Sequence, residues 1–187
     1  MGETREIELL GDRTRAVPAG SFPAGSAEVN RCGLYVWWGD EEARGLVGDA
    51  LGSEVPALLY VGKAGGALSK QTLLSRIRGK HLRGTPRTST LRHSLMAILM
   101  TAADFASAHP DPWGAGAQTA VTAWMAAHLH VAVVSLADPG AVEATEAAAI
   151  ARFDPPLNLS HVATTAGRRR LRALRRRWPR ARTAVAP

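Results

Sequence analysis

A single cysteine, Cys32, stands among 187 residues, which excludes an internal disulfide framework and any cysteine-rich zinc finger. No apolar run approaches the roughly 18 residues of a membrane span, and VAVVSLA and LMAILM are the length of core segments. The opening MGETREIELLGDR is charged and acidic, unlike a secretory leader. Glu6 stands where a myristoylation signal needs Ser or Thr. These absences predict a soluble, cytoplasmic protein. Lysine is also scarce, 3 against 20 arginines. That bias suits planar recognition of phosphate, and it equally follows from GC-rich coding.

What is present fits one domain with short additions. Hydrophobic residues at 46% and charged residues at 21% are globular values, so wholesale disorder is excluded. The net charge of +7 is zoned. Residues 1–54 hold five Arg and ten acids, whereas 55–103 hold eight Lys or Arg and no acid. Residues 104–162 hold one Arg and six acids, and 163–187 hold nine Arg and no acid. Two basic zones set between acidic ones favour a polyanionic partner over a merely solvated charged face, with nucleic acid the natural candidate.

Residues 16–29, rich in Pro, Gly and Ala, read as a loop. GLYVWW (33–38), ALLYVG (57–62) and HVAVVSL (130–136) read as buried strands. EEARGLVGDAL between the first two is either a short helix or an elaborated loop. In TLLSRIRGKHLRG, Leu73, Leu74 and Ile77 share one side of a helix while Arg76, Lys80 and Arg83 share another. Further helices are predicted over 88–102, near 118–127, and over 139–153, where Asp138 can cap and Pro139 fits the first position. In the Arg-rich tail, Leu171, Leu174 and Trp178 fall on one helical stripe, which reads either as a basic amphipathic helix docked by its apolar side or as a disordered tail with loose electrostatic contacts.

Glu146 is the most informative side chain. At about 100° per residue it lies in the middle of the apolar stripe Val142, Ala149, Ile150 and Phe153. A carboxylate aimed at the packed side is costly unless a cation, a metal or hydrogen-bond donors meet it. Glu143 lies about 60° further round and reads as a flank residue. GKAGG (62–66) has neither Walker nor GxGxxG spacing, so it supports no nucleotide site. His128 and His130 could share a strand face, but no acid or sulfur ligand stands near them in the sequence. Tyr35 and Tyr60, the two tyrosines, each lie within a predicted strand, as core bodies or as functional hydroxyls.

Gly33-Leu34-Tyr35 and Tyr60-Val61-Gly62 resemble the paired tripeptides of the GIY-YIG nucleases. The resemblance continues in order through Lys63, Arg76, His81, Glu146 and Asn158, and covers roughly residues 31–162. Three features depart from that family. The link between Tyr35 and Tyr60 is much longer than its usual tight hairpin. The stretch from Tyr60 to Arg76 is expanded. His81 follows Arg76 by five residues, where the family often places an aromatic or His after four, the place held here by Lys80.

The resemblance implies an α/β fold with a small three-stranded antiparallel sheet flanked by helices. It implies a lead segment over 1–30, a nuclease domain over 31–162 and an Arg-rich tail over 163–187. The implied activity is DNA phosphodiester hydrolysis in restriction, defence or repair, with a single Mg2+ or Mn2+ held by Glu146. Arg76 would hold a phosphate oxygen, Tyr35 would deprotonate or orient the attacking water in the field of Lys63, and Tyr60 and His81 would position water or phosphate. Asn158 would keep the geometry of the site. Arg78, Lys80, Arg83, Arg87 and Arg92 would contact duplex DNA, and the tail would add affinity without choosing sequence. Oligomeric state stays open, a dimer included. The rival is a non-cleaving nucleic-acid-binding module of the same fold, with an RNA-associated factor as a third reading.

Overall fold

In GLYVWWG, Leu34 and Val36 point one way and Tyr35 and Trp37 the other, and all four are buried, so this strand needs cover on both faces. The computed structural model, which describes residues 2–23 and 27–179, supplies that cover. Its sheet contains β1 (Val17–Pro18), β2 (Gly33–Gly39), β3 (Leu58–Ala64) and β4 (Leu129–Ser135), in the order β1-β4-β2-β3 with neighbours antiparallel. The sequence predicts three of these. The fourth, β1, lies in the stretch read as a loop, where Val17 and Pro18 pair with Val131 and His130. Two residues carry no alternation to read, and a proline, lacking an N–H, fits only at such an edge.

Around the sheet stand α1 (Gly2–Gly11), α2 (Glu41–Leu51), α3 (Thr90–Leu99), α4 (Ala103–Ala108), α5 (Ala115–His128), α6 (Val142–Phe153) and α7 (Ala166–Arg177). Leu34, Val36, Val61 and Val134 pack against Leu10 of α1 and Val142, Ala149 and Ile150 of α6. The opposite face, with Tyr35, Trp37 and Tyr60, shares a core with Val47 of α2, Leu91 and Leu95 of α3, Val121 of α5 and Leu171 of α7. No described helix is long and apolar enough to cross a membrane.

Three local choices position the site. EEARGLVGDAL forms α2, because the Asp40 carboxylate accepts from the Ala43 N–H at 2.8 Å and Gly52 closes the helix at φ 70°. Neighbouring strands β2 and β3 are therefore joined by a helix and not by a tight hairpin. Asp138 caps a 3-10 turn at Pro139–Ala141 before α6 begins, and α6 ends at Asp154 in the left-handed region, φ 43°. In α7, Leu171 is fully buried, worth about 1.5–3 kcal/mol, and Leu174 and Trp178 are half-buried, so the apolar stripe docks as the helical reading predicts. Arg180 and Arg182 of the tail lie outside the described residues.

Candidate active site

The two tripeptides meet across β2 and β3, where Tyr35 stands opposite Gly62. A Cβ at position 62 would lie 2.5 Å from the Tyr35 hydroxyl oxygen, so glycine is what lets the phenol lie across its partner strand. Gly33 has a similar reason, because a Cβ there would run into the Val134 carbonyl of β4. The Tyr35 and Tyr60 rings stack with centroids 6.5 Å apart. Tyr35 is closed to solvent, and its hydroxyl accepts from Arg76 Nε at 3.3 Å and lies 2.7 Å from His81 Nε2. The other imidazole nitrogen lies 2.7 Å from Ser89 Oγ, which also accepts from the Arg92 backbone N–H and so caps α3.

The five-residue step from Arg76 to His81 has a structural cause. In an α-helix a residue five further on lies about 140° round the axis, which would turn His81 away from Arg76. Ser75–Leu82 is instead π-helical, with i→i+5 hydrogen bonds and a wider turn, which leaves residues five apart much closer in angle than an α-helix does. The extra residue is absorbed by the wider turn, and both side chains reach Tyr35.

Burial, reinforced by Tyr60, raises the Tyr35 hydroxyl far above the ordinary phenol value. Burial, with Arg76 and Arg92 nearby, holds the His81 imidazole well below its usual value. Both groups are therefore neutral near pH 7. Burial also raises Tyr60, whose hydroxyl meets Thr90 Oγ1 at 3.0 Å. Burial works against charge on Arg76, but Tyr35, Tyr60 and Glu146 around it outweigh that and favour the guanidinium.

Glu146 enters from α6, half-buried, and its carboxyl is raised mainly by burial. Among the described residues it makes no hydrogen bond or ion pair. Glu143, on the exposed flank, pairs with Lys63, so the ammonium expected to assist Tyr35 is largely answered by a carboxylate. Tyr35, Tyr60, Lys63, Arg76 and Glu146 border one polar cavity of about 370 Å3.

Asn158 works from behind. Its side-chain amide accepts from the Val61 N–H and donates to the Val61 carbonyl, both at 2.9 Å, while Leu157 N–H donates to Leu59 O at 3.0 Å. These bonds cover the outer edge of β3 and tie the end of α6 to it.

Of the expected DNA contacts, Arg78, Arg83 and Arg87 are exposed and Lys80 is half-buried. Arg92 is a correction: it is 1% exposed, and its guanidinium donates to the carbonyls of His81, Leu82 and Gln118 inside the protein. Helical phase could not mark Arg92 as buried, because every residue of α3 from Leu91 to Leu99 is buried and the helix has no exposed face there to contrast with it. His128 pairs with Asp40 at 3.0 Å, and among the described residues no group of three His, Cys, Asp or Glu side chains is placed to hold a metal.

Sequence reasoning missed Ser89, legible as a helix cap, and Arg168. The latter is 3% exposed and donates to the carbonyls of Asp154, Pro155, Asn158 and Ala163 and to the Asp154 carboxylate at 2.7 Å.

A family profile described as GIY-YIG catalytic domain matches residues 33–177. The chain belongs to the GIY-YIG family. Neither a search of curated proteins nor one of solved structures returns a match. GIY-YIG domains are those of endonucleases that act on DNA, which supports a nuclease class for this chain. The matched span runs through α7, the helix that carries Arg168.

Proposed function

We propose that the protein is a divalent-cation-dependent endonuclease that hydrolyses DNA phosphodiester bonds, in restriction, defence or repair. The observation that carries this reading is the Glu146 carboxylate, half-buried and unpartnered, beside Arg76 and the paired tyrosines. A hard cation is the partner such a carboxylate fits, with water and phosphate oxygens completing its shell. When bound, Mg2+ or Mn2+ would neutralise charge on the phosphate and its leaving oxygen.

The remaining chemistry belongs to the side chains. Arg76 presents its guanidinium fork to a nonbridging oxygen, where charge develops in the transition state. Tyr35, with its proton held by burial, is a poor free base. Its oxygen aligns the attacking water, while His81 Nε2 at 2.7 Å fixes the direction of the hydroxyl and offers it a proton acceptor. Tyr60, anchored by Thr90, shapes the wall against which the phosphate rests.

The test is incubation of supercoiled and linear DNA, and of RNA, with Mg2+, Mn2+ or chelator, followed by gel mapping of products. Wild-type protein is expected to cut DNA only with the cation. Glu146→Ala should lose cleavage and keep its melting temperature, while Glu143→Ala stays near wild type. Cleavage by Glu146→Ala at the wild-type rate overturns the assignment. A wild-type protein that binds DNA under every condition without cutting it favours the non-cleaving module.

A further inference from the structure

Beside the catalytic cavity opens a larger cleft of about 740 Å3 that shares Tyr60 and Glu146 with it. Its wall on the α7 side carries Arg172, Arg175 and Arg176, residues at i, i+3 and i+4 and so on one helical face. Two of them are held in place. Arg172 donates to the Leu159 carbonyl at 3.1 Å, and Arg175 Nε donates to His93 Nδ1 at 3.2 Å. His93 in turn donates through Nε2 to the Trp178 carbonyl at 2.6 Å. Among the described residues Glu146 is the single acid in the lining.

We propose that Arg172, Arg175 and Arg176 form a second phosphate-binding subsite, which grips the backbone of the cleaved DNA strand on one side of the reacting phosphate. The inference rests on the nuclease reading of the adjoining cavity and extends it to a place and an orientation. A strand whose phosphate lies between Arg76 and Glu146 continues into the cleft, because the two spaces share a wall. Three guanidinium groups lining one cleft suit a phosphodiester chain, which carries a charge at every step. Arg172, Arg175 and Arg176 are therefore a built part of the substrate track and not a loose electrostatic tail.

The experiment uses the full chain. Fluorescence anisotropy of labelled duplex DNA, in chelator to prevent cutting, gives affinity across a salt series for wild type, Arg172→Gln/Arg176→Gln and Arg169→Gln/Arg170→Gln. The cleft pair should lower the slope of log K against log salt by about 1.8, from two lost contacts at about 0.9 each. In a parallel cleavage assay with Mg2+, its KM should rise on the order of tenfold, with kcat unchanged at saturating DNA. The second pair, exposed elsewhere on α7, should keep the wild-type slope. If the double variant fails to fold, exposed Arg176→Gln alone should lower the slope by about 0.9.

An unchanged slope in the cleft variant, or an equal fall in both pairs, overturns the subsite and leaves the nuclease reading standing. A wild-type protein that neither binds nor cuts DNA overturns both.

Discussion

The two basic stretches of this chain look alike in composition and differ in how they are used. Residues 55–103 and 163–187 each hold many cations and no acid. In the first, Arg76 reaches Tyr35, Arg78, Arg83 and Arg87 face outward, and Arg92 is buried. In the second, Arg172, Arg175 and Arg176 line the cleft, Arg169 and Arg170 face outward, and Arg168 is buried. Among the described residues each stretch commits one guanidinium to the interior, and both buried groups grip main-chain carbonyls beside a site residue. Arg92 holds the end of the π-helical segment that carries His81, and Arg168 holds the turn that carries Asn158. Net charge thus says where nucleic acid is attracted, while burial decides which arginines are scaffold.

The sharpest way to break this division is through turnover. Arg76→Ala should lower kcat by about 10²–10³-fold with a much smaller change in affinity, read from single-turnover cleavage alongside binding. No outward arginine of α7 replaced by Gln should approach that loss. If one does, the catalytic and track roles are wrongly divided between the two stretches.

Stability separates scaffold from surface next. Arg92→Met and Arg168→Met each remove several hydrogen bonds from buried carbonyls at about 1–3 kcal/mol apiece for bonds to a charged donor, so each should cost about 3 kcal/mol or more in urea denaturation. Arg78→Met and Arg169→Met, at exposed positions, should stay within about 0.5 kcal/mol of wild type. Equal losses from buried and exposed members of a pair would dissolve the comparison.

Acid probes the first stretch alone, since His81 stands between Arg76 and Arg92. Its folded imidazole resists protonation because of burial and then those two charges, so its folded pKa lies below the unfolded one. Below about pH 6.5 the unfolded chain takes a proton there that the folded chain refuses, and stability falls with falling pH, by up to about 1.4 kcal/mol per unit. His81→Gln should flatten that acid limb in urea melts at pH 5 to 7.

The smallest effect lies at the acid where both stretches meet. Burial raises Glu146, so its carboxylate is favoured less in the folded state, and the stability of its protonated form is lost as pH rises. Glu146→Gln without divalent cation should therefore melt slightly higher than wild type at pH 7.5, with the gap closing toward pH 4.

Much of the architecture was legible because it follows simple periods. The three long strands announce themselves as apolar runs, and Glu146 stands out because helical phase places a charge among Val142, Ala149 and Ile150. The order of Tyr35, Tyr60, Lys63, Arg76 and Glu146 anticipates one cavity. The misses arise where period fails. The π-helical turn moves residues five apart onto one face, so an α-helical count misplaces His81. β1 is too short to alternate. Arg92 and Arg168 are indistinguishable from surface arginines in the sequence, since their partners are carbonyls of distant turns, which no side-chain pattern reveals.

The clamp at Arg168 also has a consequence in time. Ribosomes build from the amino end, so this residue emerges after each side chain of the proposed catalytic site. Until it docks, the turn through Asp154, Pro155 and Asn158 lacks its buried guanidinium, and the edge of β3 is secured only by what that loose turn can hold. A nascent chain stalled before α7 thus carries the side chains of the proposed site without the brace that holds the Asn158 turn. On the nuclease reading, a chain ending at Thr165 should be inert and not merely weaker in binding, as a cleavage assay on that truncation would show.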